Sequence, residues 1–338
     1  VLNLTVTNAA GGGFITAYGE GRPQPTTSNV NFTQGQTVPN LAIVPVGANG
    51  YVDLYNGSPG TVDVIADITG YFTRSAAAGY TTIAPTRLVD TRYGTGTAKG
   101  QVGGGGSFSA QVAGAAGGSL PGSGITAVAL NVTVTNPGWA GFLTVYPSGL
   151  PSRPLASNVN FGYGQTIANS VVVPVGADGR INVYNGSARG ADVVIDVVGY
   201  YSAAGKSAYL PVNPVRLLDT RTPAWKSGPL SGGGYIYMPL SATTPDDTAF
   251  VLNTTVTNTG GQGYLTVAPD PNTLSAYQSG TAVWPNRPLV STLNWLPLQT
   301  VPNLVQASGG PTGIIDLWNA SNANIDLVVD AFGLYEND

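Results

Sequence analysis

The sequence predicts an all-β chain built as tandem antiparallel β-sandwich modules, jelly-roll or immunoglobulin-like in strand order. Three observations predict it. Apolar and polar residues alternate along short segments, clusters of Gly, Pro, Ser and Asn separate those segments, and the pattern recurs three times along 338 residues.

The recurrence sets the organisation. Val1-Leu-Asn-Leu-Thr-Val-Thr-Asn returns as Ala129-Leu-Asn-Val-Thr-Val-Thr-Asn and as Val251-Leu-Asn-Thr-Thr-Val-Thr-Asn, and Tyr55-Asn-Gly-Ser returns as Tyr184-Asn-Gly-Ser and Trp318-Asn-Ala-Ser. Each copy closes alike, with Asp67-Ile-Thr-Gly-Tyr, Asp196-Val-Val-Gly-Tyr and Asp330-Ala-Phe-Gly-Leu-Tyr. Only the second and third copies open with Arg87-Leu-Val-Asp-Thr-Arg92 and Arg216-Leu-Leu-Asp-Thr-Arg221. These matches divide the chain into a partial sandwich module at 1–78 lacking its first strands, a complete module at 79–206, and a complete, divergent module at 207–338 with a loop insertion at 270–287. The missing counterpart of residues 79–127 is expected to supply about three strands. Either a longer polypeptide or a neighbouring subunit would complete the first module, the longer polypeptide being the simpler source. The joints near 74–79 and 202–207 are short and rich in small residues, which favours a stiff string of domains.

Within the middle module the period is two. Val128, Leu130, Val132 and Val134 share one face of a strand, and Ala129, Asn131, Thr133 and Thr135 share the other. Further strands are predicted near 81–90, 107–112, 142–146, 157–161, 165–174, 180–185 and 191–201, with no helical periodicity anywhere. Asn56-Gly57 and Asn185-Gly186 read as hairpin tips, because Asn and Gly tolerate positive φ.

Composition narrows the chemistry. The chain has no His and no Cys, which excludes histidine-based nucleophilic sites, His-ligated zinc, disulfides and iron–sulfur centres. Charged residues make up 9 %, well below the roughly 25 % of ordinary soluble domains, so Gly, Ser, Thr and Asn must form much of the surface. A net charge of −4 without a basic block argues against nucleic acid, and no apolar run is long enough for a membrane-spanning helix. We therefore expect no enzyme activity, no cofactor and no metal, and a secreted protein associated with the cell surface.

The tandem Leu-Asp-Thr-Arg opening and Tyr-Asn-Gly-Ser motif resemble the β-repeats of secreted actinobacterial cell-surface and cell-wall-associated proteins, over nearly the whole chain. The resemblance implies location and class. No activity is attached to the repeats themselves.

Candidate sites follow from the few charged and aromatic residues. Arg87, Asp90 and Arg92, with Arg216, Asp219 and Arg221, form a recurring cluster expected to be structural ion pairs, and the closing Asp196 and Asp330 are expected to receive those arginines. Asp63 with Asp67, Asp192 with Asp196, and Asp326 with Asp330 are four residues apart. In a strand that is about 13 Å, too far for one ion or for a glycosidase pair. The recurring Asn29, Asn31, Asn40, Asn158, Asn160, Asn169 and Asn303 are expected to bond backbone rather than sugar. The third module carries twelve extra residues between Val267 and Ser291, and four of the five Trp residues, Trp225, Trp284, Trp295 and Trp318. Trp295 and Trp318 replace Phe161 and Tyr184 and are expected to be ordinary packing. Tyr277, Trp284 and Arg287 remain as the ligand- or partner-binding candidates, either stacking on a sugar or capping a terminal repeat.

Two functions are compatible with these features. The first is a non-catalytic extracellular structural or adhesive protein that associates with itself or with neighbouring domains, as a subunit or segment of a surface fibre. The alternative is a carbohydrate-binding, lectin-like tail that anchors an enzyme to cell wall or polysaccharide.

Overall fold

The structure is a computed structural model describing residues 1–73, 75, 77–223, 228–241 and 246–337. Trp225, and Arg74 and Ala76 of the first joint, lie outside the described residues. Residues 1–78 hold β1 (Leu2–Thr7), β2 (Gly13–Gly19), β3 (Val30–Phe32), β4 (Val38–Ala42), β5 (Val52–Asn56) and β6 (Asp63–Ile68). Residues 79–206 hold β7 (Gly79–Asp90), β8 (Ser107–Gln111), β9 (Ile125–Thr135), β10 (Gly141–Pro147), β11 (Val159–Phe161), β12 (Ile167–Pro174), β13 (Arg180–Asn185) and β14 (Asp192–Ser202). The remainder holds β15 (Ser207–Asp219), β16 (Tyr235–Pro239), β17 (Asp247–Thr257), β18 (Gly263–Pro269), α1 (Leu274–Ser279), β19 (Leu293–Trp295), β20 (Val301–Ser308), β21 (Ile314–Asn319) and β22 (Asp326–Asn337).

The protein is all-β and its sheets are antiparallel. In the middle module one sheet runs β12-β9-β14-β7 and the other β11-β10-β13-β8. In the third module the orders are β20-β17-β22-β15 and β19-β18-β21-β16. Counted within a module, these are 6-3-8-1 and 5-4-7-2, the jelly-roll order. The immunoglobulin-like alternative would pair the first two strands. Here the first strand pairs with the last, β7 with β14 and β15 with β22.

Period-two alternation builds the core. Leu130, Val132 and Val134 of β9 and Val193, Ile195 and Val197 of β14 meet Leu143, Val145, Ile181 and Val183 of the opposite sheet in one buried cluster. Leu252, Val256, Leu327 and Val329 meet Leu265, Val267, Ile315 and Leu317 in its counterpart, with Trp295 among them. Each such side chain contributes roughly 1.5–3 kcal/mol on burial.

In the first module the sheets are β4-β1-β6 and β3-β2-β5, which are the jelly-roll sheets without their first and second strands. The expected count of three missing strands is corrected to two. The third segment of the counterpart is a 3-10 turn at Ala116–Gly118, where Gly117 and Gly118 hold positive φ and no ladder forms.

A second correction concerns the Asn-Gly dipeptides. Asn56, Gly57, Asn185 and Gly186 are absent from the positive-φ residues. Instead the Asn185 side chain makes the turn: its Oδ1 accepts the Ser187 amide at 3.0 Å, and its Nδ2 donates to the Val102 and Arg189 carbonyls at 2.9 Å each. Gly186 is needed for space, since a Cβ there would lie 2.3 Å from the Phe142 ring, as one at Gly57 would from Phe14. The left-handed asparagines are Asn8, Asn136 and Asn258, each ending a Val-Thr-Asn segment.

The chain divides into two compact units, one of Val1–Ile15, Val30–Ile43 and Asn56–Gly205, the other of Thr16–Asn29, Val44–Tyr55 and Lys206–Asp338. In the first unit, Asn3 Nδ2 donates to the Ser157 carbonyl at 2.6 Å, Asn169 Nδ2 donates to Asn3 Oδ1 at 3.0 Å, and the Leu41 amide donates to Asn169 Oδ1 at 3.2 Å. In the second, Asn253 Nδ2 donates to the Ser28 carbonyl at 2.6 Å. Buried asparagines thus fasten backbone to backbone where no ladder runs. Asn158 and Asn303 do the same locally, Asn158 accepting the Val145 amide and Asn303 donating to the Thr292 carbonyl.

Candidate functional site

Three places concentrate charge or aromatic surface. The first is the Arg-Leu-x-Asp-Thr-Arg strand. Antiparallel pairing of β14 with β7 sets Asp196 opposite Arg87. Arg87 Nε donates to Asp196 Oδ1 at 2.6 Å and its Nη1 to Asp90 Oδ2 at 2.7 Å, so one guanidinium holds two carboxylates. Arg92 adds a bidentate grip on Asp90, at 2.9 and 2.7 Å. The third module repeats the arrangement: Arg216 donates to Asp330 at 2.5 Å and to Asp219 at 3.0 Å, and Arg221 grips Asp219 at 2.8 and 2.6 Å. Burial opposes ionisation of Asp90, yet Arg92 and Arg87 hold it below the usual carboxylate range. Hydrogen bonds from Arg221 do the same for Asp219. Burial prevails at Asp196 and Asp330, which are raised.

The intervening threonine completes the strand's attachment. Thr91 Oγ1 donates to Asp192 Oδ1 at 2.9 Å and accepts the Val193 amide at 3.0 Å. Thr220 does likewise with Asp326 at 2.7 Å and the Leu327 amide at 2.9 Å. Asn136 and Asn258 donate to the other oxygens of these carboxylates, which explains the left-handed bend that turns their side chains back toward the strand.

The second place is the insertion of the third module. Rather than a plain loop, it forms the six-residue helix α1, capped by Thr273, whose Oγ1 accepts the Ala276 amide, and ended by Gly280 at φ 70°. Tyr277 on α1 lies flat on Tyr237 of β16, with centroids 3.7 Å apart and planes 9° apart. Its hydroxyl donates to Asp270 Oδ2 at 2.5 Å and lies 3.2 Å from the Tyr235 hydroxyl. Tyr235 stacks on Trp318 at 4.5 Å, and Trp284 meets Tyr235 edge-on at 4.9 Å while remaining 70 % exposed. Arg287 sits 5.6 Å from the Tyr264 ring centre. Tyr277 is therefore a packed component and Trp284 the accessible one, while Trp295 and Trp318 are buried.

Beneath these rings lies a carboxyl pair that motif reasoning missed. Asp270 and Asp316 are both buried. Burial and the neighbouring Asp270 push Asp316 up to about 8. Burial opposes ionisation of Asp270 too, but hydrogen bonds from Asp316, Tyr277 and Asn272 hold it below the usual range. The pair thus carries one proton near neutral pH, with Asp316 as its holder. The signal was the comparison of modules: at the positions of Tyr235, Tyr237 and Asp316, the middle module has Ser107, Ser109 and Asn182. Among the described residues no three acidic side chains converge as a metal-binding group.

The third place is the edge of the first module at β6. Asp67 faces Asn3 across the ladder as Asp196 faces Asn131 and Asp330 faces Asn253. Asp63 accepts a hydrogen bond from Asn8 Nδ2 at 2.8 Å, as Asp192 and Asp326 do from their asparagines. Among the described residues, no arginine or threonine of a first strand pairs with β6 there. Ile68 is 78 % exposed, whereas the equivalent Val197 is fully buried.

No protein-family model matches the chain, and no curated protein matches it. Among solved structures, it is similar at 9 % identity and TM-score 0.20 to a chain in the atomic structure of Sulfolobus Turreted Icosahedral Virus, covering 99 % of this chain and 79 % of that one. It is similar at 11 % identity and TM-score 0.16 to the major capsid protein P2 of bacteriophage PM2, covering 76 % and 97 %. At 10 % identity and TM-score 0.20 it is similar to the N-terminal CBM22-1-CBM22-2 tandem domain of Paenibacillus barcinonensis Xyn10C, covering 77 % and 94 %.

Proposed function

We propose that this chain is a non-catalytic, secreted structural or adhesive repeat protein of the cell surface, acting as a subunit or segment of a fibre. The observation that carries this reading is the repetition itself: two complete jelly-roll modules of one strand order in tandem, each closed by its own Arg–Asp clasp. The absence of His and Cys and the use of Arg–Asp clusters as internal fasteners leave little chemistry beyond carboxylates. Size-exclusion light scattering over a concentration series, with negative-stain images of the same fractions, tests the reading. Concentration-dependent oligomers or filaments are expected, and a strict monomer would refute self-assembly.

Trp284 favours a second reading, a carbohydrate-binding tail. A 70 % exposed indole braced by Tyr235 and Trp318 offers the kind of aromatic face on which a sugar stacks. A glycan array probed with the chain and with Trp284→Ala separates the two readings, since only the second predicts binding that the substitution removes.

A further inference from the structure

We infer that one loop end of the middle module is a binding site for an anionic glycan, with Trp139 and Tyr163 stacking on pyranose rings and Lys99 and Arg189 meeting the acidic substituents. The site lies within one module and depends neither on assembly of the chain nor on Trp284.

Three copies of one loop scaffold provide the comparison. In the middle module the β9–β10 loop is laced to its neighbours by backbone bonds: the Gly164 amide donates to the Pro137 carbonyl and the Gly138 amide to the Gly190 carbonyl, both at 2.9 Å. The first module makes the same bonds, Gly35 to Ala9 and Ala10 to Thr61, at 2.9 Å each. The third makes them too, Leu298 to Thr259 at 2.9 Å and Gly260 to Asn324 at 3.3 Å. The backbone bends alike, with positive φ at Asn8, Asn136 and Asn258 and at Gly35, Gly164 and Leu298. On that common frame the side chains differ. Trp139 stands where the other modules have Gly11 and Gly261, Tyr163 where they have Gln34 and Pro297, and Arg189 where they have Gly60 and Ala323. Two copies thus form these loops without either ring, yet the middle module holds Trp139 59 % exposed and Tyr163 76 % exposed. Exposed aromatic surface that the fold does not require marks a contact site.

The Pro137–Gly164 bond brings the two rings onto one surface, since their Cα atoms can be no more than about 15 Å apart along the backbone that joins them. Tyr93, also exposed, joins them from the β7–β8 loop, whose Gln101 side chain donates to the Asn136 carbonyl at 3.0 Å. A Cβ at Gly138 would lie 3.0 Å from the Arg189 Cβ, and one at Gly94 would lie 3.3 Å from the Lys99 Cβ, so each cation stands beside the neighbour of a ring-bearing residue. Arg92 is committed to Asp90, whereas Lys99 and Arg189 form no ion pair among the described residues. The four loops, residues 91–106, 136–140, 162–166 and 186–191, contain no Asp or Glu. They also expose no Leu, Ile, Val, Met or Phe that would form the dry centre of a protein interface. Two uncommitted cations are too few for a nucleic acid, whose binding rests on many phosphate contacts. Flat rings with polar tips beside two cations match the apolar face of a sugar and an acidic group attached to it.

The probes are polygalacturonate, hyaluronate and phosphomannan, titrated calorimetrically onto the intact chain, with fully methyl-esterified polygalacturonate as the uncharged reference. At least one of the three should bind saturably and at least tenfold more tightly than the reference; which one binds distinguishes a carboxylate from a phosphate ligand. Trp139→Gly combined with Tyr163→Gln installs residues that the first module already carries in the same loops. It should weaken binding at least tenfold and leave the unfolding midpoint in place. Lys99→Gln combined with Arg189→Gln should also weaken binding at least tenfold. No binding by any of the three would overturn the inference. So would binding that the cation pair of substitutions removes and the ring pair leaves intact, which is adsorption by charge alone. Tighter binding of oligo-dT than of any glycan, lost in the same variants, would assign the loops to nucleic acid and overturn it. Glycan binding that Trp284→Ala abolishes and both loop variants retain would overturn it and support the third module's site instead.

Discussion

Replacing Asp316 by Asn should remove much of the pH dependence of the third module's stability between about 4 and 8. In the folded chain burial and Asp270 raise Asp316 from 3.8 to about 8, so over that interval the folded state binds a proton that the unfolded state has released. Stability from this group is therefore complete below pH 4 and is lost as pH rises through 8. At about 1.4 kcal/mol per pH unit, a displacement of roughly four units sets a ceiling near 5–6 kcal/mol. Coupling to Asp270 and local relaxation reduce it, and about 2–3 kcal/mol is the loss expected between pH 5 and pH 8. Asn cannot ionise but retains a donor for Asp270, so Asp316→Asn keeps the low-pH arrangement at every pH. Urea midpoints followed by tryptophan fluorescence, with Trp284 and Trp318 in the same cluster, provide the assay. The unmodified chain should lose stability on going from pH 5 to pH 8, and the variant should lose markedly less. An unchanged pH dependence in the variant would show that the proton is held elsewhere and refute the assignment.

Arg87→Met should destabilise the middle module by about 2–4 kcal/mol in chemical denaturation, because it leaves Asp196 and Asp90 buried without their shared cation. Arg87→Lys should recover only part of that loss, since an ammonium cannot reproduce the two-sided grip. Gly186→Ala should cost about 1–3 kcal/mol through its collision with the Phe142 ring, and combining it with Phe142→Leu should recover part of that. Asn185→Ala removes the side chain that joins four backbone groups and should cost about 2–4 kcal/mol, whereas exposed Trp284→Ala should change the melting temperature by no more than about 2 °C.

Most of the fold was legible because a jelly-roll module writes itself in period two. The alternation along Val128–Thr135 and its repeats located the strands to within three residues, since one face of each is in core. Strand order was not legible: nothing local in Arg87-Leu-Val-Asp-Thr-Arg says that it will lie beside a segment ending the module. Asn185-Gly186 was misread because the dipeptide serves two physical purposes, positive φ in a tight turn or an amide cap next to a close ring, and only packing decides between them. Helix α1, at six residues, is shorter than the window in which a helical period can be seen. The Asp270–Asp316 pair forms no motif, its members being separated by β19, β20 and the insertion; aligning Asp316 with Asn182 of the middle module was the available clue.

The pairing of first strand with last gives each complete module a particular history. Arg87 and Asp196 are 109 positions apart in sequence and Arg216 and Asp330 are 114 apart, so neither clasp can form until the end of its module has been synthesised. Such long-range closure places these modules among slowly folding, high-contact-order proteins. Until the last strand arrives, the first carries its guanidinium and leucines without a place to put them. Local collapse among the middle strands can proceed, but registration waits for the final aspartates. The clasp therefore serves as a stop codon for folding, read in charge rather than sequence.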